Sequence, residues 1–197
     1  MSESYKTKSK MTAVIGVFIA ITVVLQIISY FVKIGTFSLT LTLVPIILVS
    51  VMYGPKYSVF LGTAFGIVTI IGCITGTDAG GNILFNASPF FTVLLCMIKA
   101  ILCSLVAGFV GTALKRKNLF LAVIITAIIA PIINTGSFII LMFLFFKGIL
   151  YEWAGGTDIV TYLLIGLTGI NFIIELGINV VLSPIILRIL KAVKRYF

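Results

Sequence analysis

Two ionisable side chains, Lys99 and Glu175, lie inside long apolar stretches of this chain. A charge in the hydrocarbon of a bilayer costs at least about 2.5–3.5 kcal/mol, so such residues usually face a cavity or each other. A lysine amine can meet the carboxylate of a small solute, which would make this a binding site. The alternative is a buried Lys99–Glu175 pair that fixes the register of two helices. A proton relay has less support, because the spans offer one carboxylate and the chain has no histidine.

Amide side chains lie at similar depths in these stretches. Lys99 is about ten residues, or about 15 Å, inward from the external end of its span. Asn171 and Glu175 are one turn apart and share a helix face, Asn134 lies midway along the fifth span, and Gln26 lies in the outer half of the first. If the fourth, fifth and sixth helices pack together, these groups converge below the external loops. Asparagines there could recognise amide or hydroxyl groups.

Membrane-spanning helices are the elements that must position these residues. Hydrophobic residues make up 61% of the 197 positions and charged residues 10%, which is too apolar for a soluble domain of this length. The apolar runs are near the ~20 residues that cross a bilayer as a helix. We predict an all-α polytopic membrane protein in one domain, residues 1–197. Its six predicted spans are Met11–Val32, Phe37–Tyr53, Tyr57–Ile74, Pro89–Leu114, Leu119–Phe146 and Ile159–Leu190.

The distribution of charge predicts the orientation. If six spans alternate, one side carries Lys6, Lys8, Lys10, Lys56, Lys115, Arg116, Lys117, Arg188, Lys191, Lys194 and Arg195. The other side carries Lys33, Lys147, Asp78, Glu152 and Asp158. Basic residues in short loops mark the cytoplasmic face, so both termini are predicted to be cytoplasmic in a multi-pass protein of the cell membrane. This distribution also argues against a nucleic-acid partner for the net charge of +9.

The two longer external segments, residues 75–88 and 147–158, are predicted to be loops. The first is rich in glycine and polar groups, and the second carries Tyr151, Trp153 and a Gly155-Gly156 pair. Loops of this kind often act as lids or binding loops. Alternatively, they are solvated connectors, and the aromatic residues are interfacial anchors.

Motifs for catalysis or energy coupling are missing from the sequence. There is no GxxxxGK[ST] phosphate loop, no HExxH or GxSxG motif, and no ligand set for zinc. The three cysteines lie in apolar runs and are predicted to be buried thiols. We therefore predict neither an enzyme nor a cofactor or metal site. A binding site without its own energy coupling indicates passive transport or a partner that supplies the energy.

A family resemblance rests on the second predicted span and the turn after it. Residues Phe37-Ser38-Leu39-Thr40-Leu41-Thr42-Leu43-Val44-Pro45 and Met52-Tyr53-Gly54-Pro55-Lys56 resemble the S components of energy-coupling factor (ECF) vitamin transporters. In that family a short second helix carries Val-Pro and ends in Gly-Pro before a small cytoplasmic turn. The resemblance implies an integral vitamin-binding subunit that associates with a transmembrane T component and two cytosolic ATPases.

The resemblance also implies where ligand and partner bind. The family's substrate site lies on the external side, and the matching positions here are Asp78, Asn82, Asn86, Ser88, Lys99, Asn134, Asn171 and Glu175. The family's first helix contacts the T component through Ala-x-x-x-Ala. This chain departs from that motif, with Thr12-x-x-x-Gly16-x-x-x-Ala20. Small residues four apart still give a flat face for close helix approach, but ordinary packing within the chain is the alternative.

The vitamin is suggested by two short segments. Asn171-Phe172-Ile173-Ile174-Glu175 and Asn134-Thr135-Gly136 resemble the pantothenate-specific branch, and pantothenate offers a carboxylate for Lys99. Riboflavin is the second choice, and folate or another water-soluble vitamin stays open. Two other classes also stay open: a stand-alone ion-coupled carrier and a membrane assembly protein.

Overall fold

A computed structural model describes residues 2–34 and 37–194, and the side chains of residues 11–32 and 38–192. Nearly all of the described chain is helical. The elements, in chain order, are α1 (Ser2–Ser29), β1 (Lys33–Ile34), β2 (Phe37–Ser38), α2 (Leu43–Tyr53), α3 (Pro55–Thr75), α4 (Ala79–Ala87), α5 (Pro89–Lys115), α6 (Leu119–Phe145), α7 (Lys147–Ala154), α8 (Ile159–Thr161), a π-helix (Tyr162–Leu167) and α9 (Gly169–Lys194).

Within the described part of the chain, five segments are long and apolar enough to cross a membrane: Met11–Ser29 of α1, all of α3, α5 and α6, and Gly169–Ala192 of α9. This confirms the prediction of an all-α, polytopic, integral membrane protein. Helix α2 is also apolar but has only 11 residues. At 1.5 Å per residue it is about 16 Å long, which is about half of the ~30 Å hydrocarbon core.

The predicted second span, Phe37–Tyr53, is wrong in its first six positions. Strands β1 and β2 form an antiparallel hairpin in which Lys33 pairs with Ser38 and Ile34 with Phe37, and α2 begins only at Leu43. Residues 37–42 alternate large apolar side chains with Ser or Thr. That period of two favours an extended backbone rather than a helix. The hairpin therefore covers one end of the helical bundle in place of an extra turn and a half of α2.

The Gly-Pro pair makes the tight turn from α2 to α3. Gly54 has φ +84°, which suits glycine, and Pro55 occupies the first turn of α3. A Cβ on Gly54 would lie 2.8 Å from Thr112 Oγ1 of α5. The Lys115 amine of α5 donates a 2.9 Å hydrogen bond to the Met52 carbonyl at the end of α2. Helices α2, α3 and α5 are thereby fixed together at the predicted cytoplasmic side.

Small residues bring α3 and α5 close together, and no other helix pair packs more extensively. A Cβ added to Gly62 would overlap Ser104 Oγ and lie 2.7 Å from the Ala100 carbonyl oxygen. Ser58 Oγ of α3 donates a 2.8 Å hydrogen bond to the Ser104 carbonyl of α5. In lipid the hydrophobic effect does not drive helices together, so their association depends on close packing of this kind and on hydrogen bonds between helices.

The predicted sixth span is interrupted, and both predicted external loops contain a helix. Thr168 separates the π-helix from α9, and its N–H and Oγ1 both donate to the Leu163 carbonyl, at 3.2 and 2.7 Å. Helix α4 lies within residues 75–88, where Asp78 caps it by accepting a hydrogen bond from Gly81 N at 3.3 Å. Helix α7 lies within residues 147–158.

Two apolar clusters leave a polar layer between them. The inner cluster includes Leu43, Ile47, Val51, Cys103, Ala107, Ala127, Ala130, Ile186 and Leu190, and the outer one includes Cys73, Leu95, Cys96, Phe138, Leu141, Met142, Leu163 and Leu167. Lys99 on α5 and Asn134 on α6 lie between the inner and outer cluster members of their own helix, and Glu175 on α9 lies between Leu167 of the π-helix and Ile186. The three cysteines are buried free thiols, as predicted.

Candidate solute-binding site

A pocket occupies the polar layer and encloses about 560 Å³ of atom-free space, its opening included. Every long spanning helix contributes to its wall, together with the hairpin and the cap of α4. The lining residues are Gln26, Ser38, Thr40, Phe65, Thr69, Asp78, Lys99, Asn134, Thr135, Phe138, Leu167, Thr168, Asn171 and Glu175.

Five of the eight predicted ligand-binding residues meet in this pocket: Asp78, Lys99, Asn134, Asn171 and Glu175. They come from the α4 cap and from α5, α6 and α9, so residues up to 97 positions apart in sequence (78 to 175) share one cavity. Counting residues inward from the loops predicted a similar depth for four of them, Lys99, Asn134, Asn171 and Glu175. The count works because each residue of a helix adds the same rise along its axis.

The other three predicted residues, Asn82, Asn86 and Ser88, do not line the pocket. Residues 75–88 were predicted to be a loop, but Asn82 and Asn86 lie on α4, one turn apart. Asn82 Nδ2 donates to the Cys73 carbonyl at 2.8 Å, and its Oδ1 accepts from Asn86 Nδ2 at 3.1 Å. The asparagines therefore join α4 to α3 and to each other. Ser88 precedes α5, and its carbonyl accepts from Thr92.

The Lys99 amine lies against aromatic rings. Its Nζ is 5.8 Å from the ring centre of Phe65 and 5.4 Å from that of Phe138, within the range of cation–π attraction. Among the described residues, no hydrogen bond or ion pair joins Lys99 to Glu175. The register-fixing pair considered from the sequence is therefore not formed. The amine instead lies over these two rings in the pocket wall.

Glu175 is 5% exposed, and its two carboxyl oxygens have different surroundings. Oε1 accepts a 2.7 Å hydrogen bond from the backbone N–H of Thr40. Oε2 is buried and has no hydrogen-bond partner. A buried polar atom without a partner costs free energy, and it is explained by an ordered water, an ion, local strain or a functional role. Asn134 Oδ1 is a second acceptor of this kind in the pocket wall, on a side chain 4% exposed.

Sequence reasoning missed the pocket residues of the hairpin, of α3 and of the interrupted helix. Ser38 and Thr40 stand two apart on the extended segment, and both line the pocket. The alternation of residues 37–42 was the signal that could have found them. Thr168 lies between Gly166 and Gly169, where local departures from α-helical geometry are common at functional sites. Phe65 and Thr69, within an ordinary apolar span, carry no comparable signal.

The predicted partner-contact residues form one exposed face of α1. Thr12, Gly16 and Ala20 are exposed, while Ile15, Thr22 and Gln26 on the same helix are buried. A Cβ added to Gly16 would meet nothing within 4 Å. Packing within the chain therefore does not explain the small residue at position 16.

The comparisons with known proteins decide the family. A family model for "ECF transporter, substrate-specific component" matches residues 10–187. The chain belongs to this family. It is thus the substrate-specific membrane subunit of an ECF transporter, a protein that binds a small molecule and works with T and ATPase subunits rather than an enzyme. Neither the curated proteins nor the solved structures contain a match to this chain.

Proposed function

We propose that this S component captures pantothenate from the outside and releases it to the cytoplasm when ATP turnover in partner subunits drives reorientation. Capture needs no ATP, and the sequence has no nucleotide-binding motif of its own. The observation that carries the choice of ligand is the Lys99 amine, which faces the pocket over two rings and forms no ion pair with Glu175. An anionic ligand would supply the missing carboxylate.

The pocket also has acceptors for the rest of the molecule. Pantothenate carries two hydroxyl groups and an amide N–H, all of which donate hydrogen bonds. Glu175 Oε2 and Asn134 Oδ1 are buried acceptors that lack a donor. In this arrangement the ligand carboxylate binds Lys99, and its donors bind the side chains of α6 and α9. Asp78 lines the same pocket, and its Oδ1 accepts a hydrogen bond from Gly81 N at the start of α4, where negative charge is favoured.

Riboflavin, the second choice, fits the lining less well. Its large flat ring system requires aromatic or apolar faces to stack on. The aromatic residues in the pocket wall are Phe65 and Phe138, and both lie beneath the Lys99 amine. The polar character of the remaining wall, with Asn134, Asn171 and Glu175, favours a smaller ligand rich in hydrogen-bonding groups.

Delivery requires partner subunits. The exposed small-residue face of Thr12, Gly16 and Ala20 would receive the T component, since small side chains allow close helix approach in lipid. The rival, a stand-alone ion-coupled carrier, predicts gradient-driven uptake by this chain alone in liposomes. Uptake of pantothenate only when T and ATPase subunits and ATP are present would exclude it.

Thermal melting of the detergent-solubilised protein tests the ligand. Pantothenate at about 100 times its Kd should stabilise the folded state by about 2.7 kcal/mol, whereas riboflavin and folate should not. Lys99→Met keeps the packing on Phe65 and Phe138 but removes the charge, so the empty protein should melt normally and the pantothenate shift should be lost. Lys117→Met, at an exposed position on the opposite side, is the matched control. A full shift in Lys99→Met, or a shift with riboflavin alone, contradicts the proposal.

A further inference from the structure

A second cavity lies on the lipid-facing surface, away from the solute pocket. It is a groove between the outer half of α6 and the segment that contains α8 and the start of the π-helix, with about 630 Å³ of atom-free space including its open side. Helix α6 runs close along α9, whereas its backbone stays farther from α8 and the π-helix. Its lining is entirely apolar: Ile139, Ile140, Phe143, Leu144, Val160, Leu163 and Leu164.

A positive charge is held at the outer end of this groove. Lys147 is exposed and begins α7, directly after the end of α6 that carries the lining residues Phe143 and Leu144. Its amine lies 5.3 Å from the Phe143 ring centre and 5.8 Å from that of Tyr151, within the range of cation–π attraction. The groove thus has a cation beside one of its lining rings.

We propose that this groove binds an anionic glycerophospholipid of the outer leaflet, with one acyl chain in the groove and the headgroup phosphate at Lys147. The dimensions agree with one leaflet. Along α6 the lining from Ile139 to Leu144 rises about 8 Å over five residues, which fits within the ~15 Å that half of a ~30 Å hydrocarbon core provides. Lys147 also lies on the side that the charge distribution predicts to be external.

A lipid fits this groove better than a helix of another protein. Helices that associate in a bilayer use small residues, which let the backbones approach closely. The groove is lined by branched and aromatic side chains instead, and Ile140 and Leu144 on its rim are 61% and 65% exposed. An acyl chain is flexible and narrow, so it can follow a channel with walls of this kind. The flat face suited to a protein helix lies elsewhere, on α1.

Native mass spectrometry of the full-length protein in detergent tests the proposal, with phosphatidylglycerol and phosphatidylcholine of identical acyl chains as probes. Phosphatidylglycerol should bind more tightly, because one basic side chain near the headgroups contributes about fivefold in affinity to an anionic lipid. Lys147→Gln should remove that preference and leave phosphatidylcholine binding unchanged. Lys117→Gln, an exposed lysine at the other side, is the charge control.

Filling the groove tests the acyl-chain part separately. Leu144→Trp and Val160→Trp should each weaken the binding of both lipids, whereas Val181→Trp, at a position on α9 that is 74% exposed and outside the groove, should not. Both groove positions are more than half exposed, so the variants are expected to fold, and melting of the ligand-free protein checks this. Equal affinity for the two headgroups, an unchanged preference in Lys147→Gln, or full binding in a folded groove variant would overturn the proposal.

Discussion

The backbone N–H of Thr40 donates a 2.7 Å hydrogen bond to Glu175 Oε1, across 135 residues of sequence. This bond ties the segment between β2 and α2 to the second turn of α9, and both residues line the pocket. The other oxygen, Oε2, is buried without a partner. One carboxyl group therefore holds the covering segment in place and also offers an acceptor to a ligand.

Glu175→Gln separates these two roles. The glutamine can keep Oε1 as the acceptor for Thr40 N–H, but it replaces Oε2 with an amide donor. We expect a folded protein whose ligand affinity falls about tenfold to a hundredfold, since hydrogen bonds to a charged group contribute about 1.5–3 kcal/mol. Titration calorimetry with pantothenate measures the change. Glu152→Gln, at an exposed position outside the pocket, is the control.

Glu175→Leu should have a further effect, because it also leaves the Thr40 N–H without its acceptor. A buried donor without a partner costs about 1–3 kcal/mol, so the ligand-free protein should melt at a lower temperature than Glu175→Gln does. Equal melting temperatures for the two variants would show that the Thr40 bond contributes nothing to stability. If Glu175→Gln binds pantothenate as tightly as the wild type does, Oε2 does not bind the ligand.

The sequence was sufficient to predict the depth of the polar layer. Lys99, Asn134 and Glu175 lie between apolar clusters on three regular helices, and a constant rise per residue converts sequence position into depth. The five helices that can cross the membrane were likewise found from apolar length alone. These features depend on local composition, which a single sequence carries.

The covering elements could not be placed in the same way. Residues 37–42 are apolar enough to continue a span, yet residues 37–38 form β2, Thr40 bonds to Glu175, and residues 41–42 turn into α2. Asn82 and Asn86 were predicted to contact the ligand because they match the family's substrate-site region, and residues 75–88 were predicted to be a loop. Asp78 instead starts a helix there, and Asn82 donates to the Cys73 carbonyl. Such contacts join residues distant in sequence, and no local pattern encodes them.

The close approach of α3 and α5 predicts opposite effects for two glycine substitutions. Gly62→Ala should lower the melting temperature, because the new Cβ would overlap Ser104 Oγ and lie 2.7 Å from the Ala100 carbonyl oxygen. Overpacking of this kind costs about 1–3 kcal/mol. Gly136→Ala is the matched control: a Cβ there meets nothing within 4 Å, so it should be neutral or stabilising. A Gly62→Ala variant as stable as Gly136→Ala would contradict the close packing.

We expect the stability of the protein to depend on pH through Asp158, which lies outside the membrane-spanning helices. Thr161 N and Oγ1 donate to its Oδ2 at 3.0 and 3.1 Å, and these bonds, the backbone one first, lower the pKa of Asp158 below its ordinary 3.8. A lowered pKa means that the carboxylate stabilises the start of α8 above pH 3.8 and loses that effect as the pH falls through the lowered value. Melting curves of wild type and Asp158→Asn should differ at pH 7 and converge as the solution is acidified below pH 4. A constant difference across that range would contradict the assignment.

A substitution on the exposed face of α1 should separate pantothenate binding by the isolated subunit from ATP-driven uptake by the assembled transporter. Gly16→Leu adds a large side chain where a Cβ meets no other group of the chain, so pantothenate affinity of the isolated subunit should not change. The same side chain would hold a partner helix away from α1. A steric cost of about 1–3 kcal/mol corresponds to roughly a fivefold to hundredfold loss of association with the T component.

Gly177→Leu is the matched control for this experiment, since Gly177 is also exposed on a spanning helix and a Cβ there meets nothing within 4 Å. Co-purification with the T component and ATP-driven pantothenate uptake in proteoliposomes are the two measurements. We expect Gly16→Leu to lose both while Gly177→Leu retains both. If Gly16→Leu retains co-purification and uptake as Gly177→Leu does, the small residues on α1 face lipid rather than a partner. The contact that couples this subunit to ATP turnover must then lie on another surface.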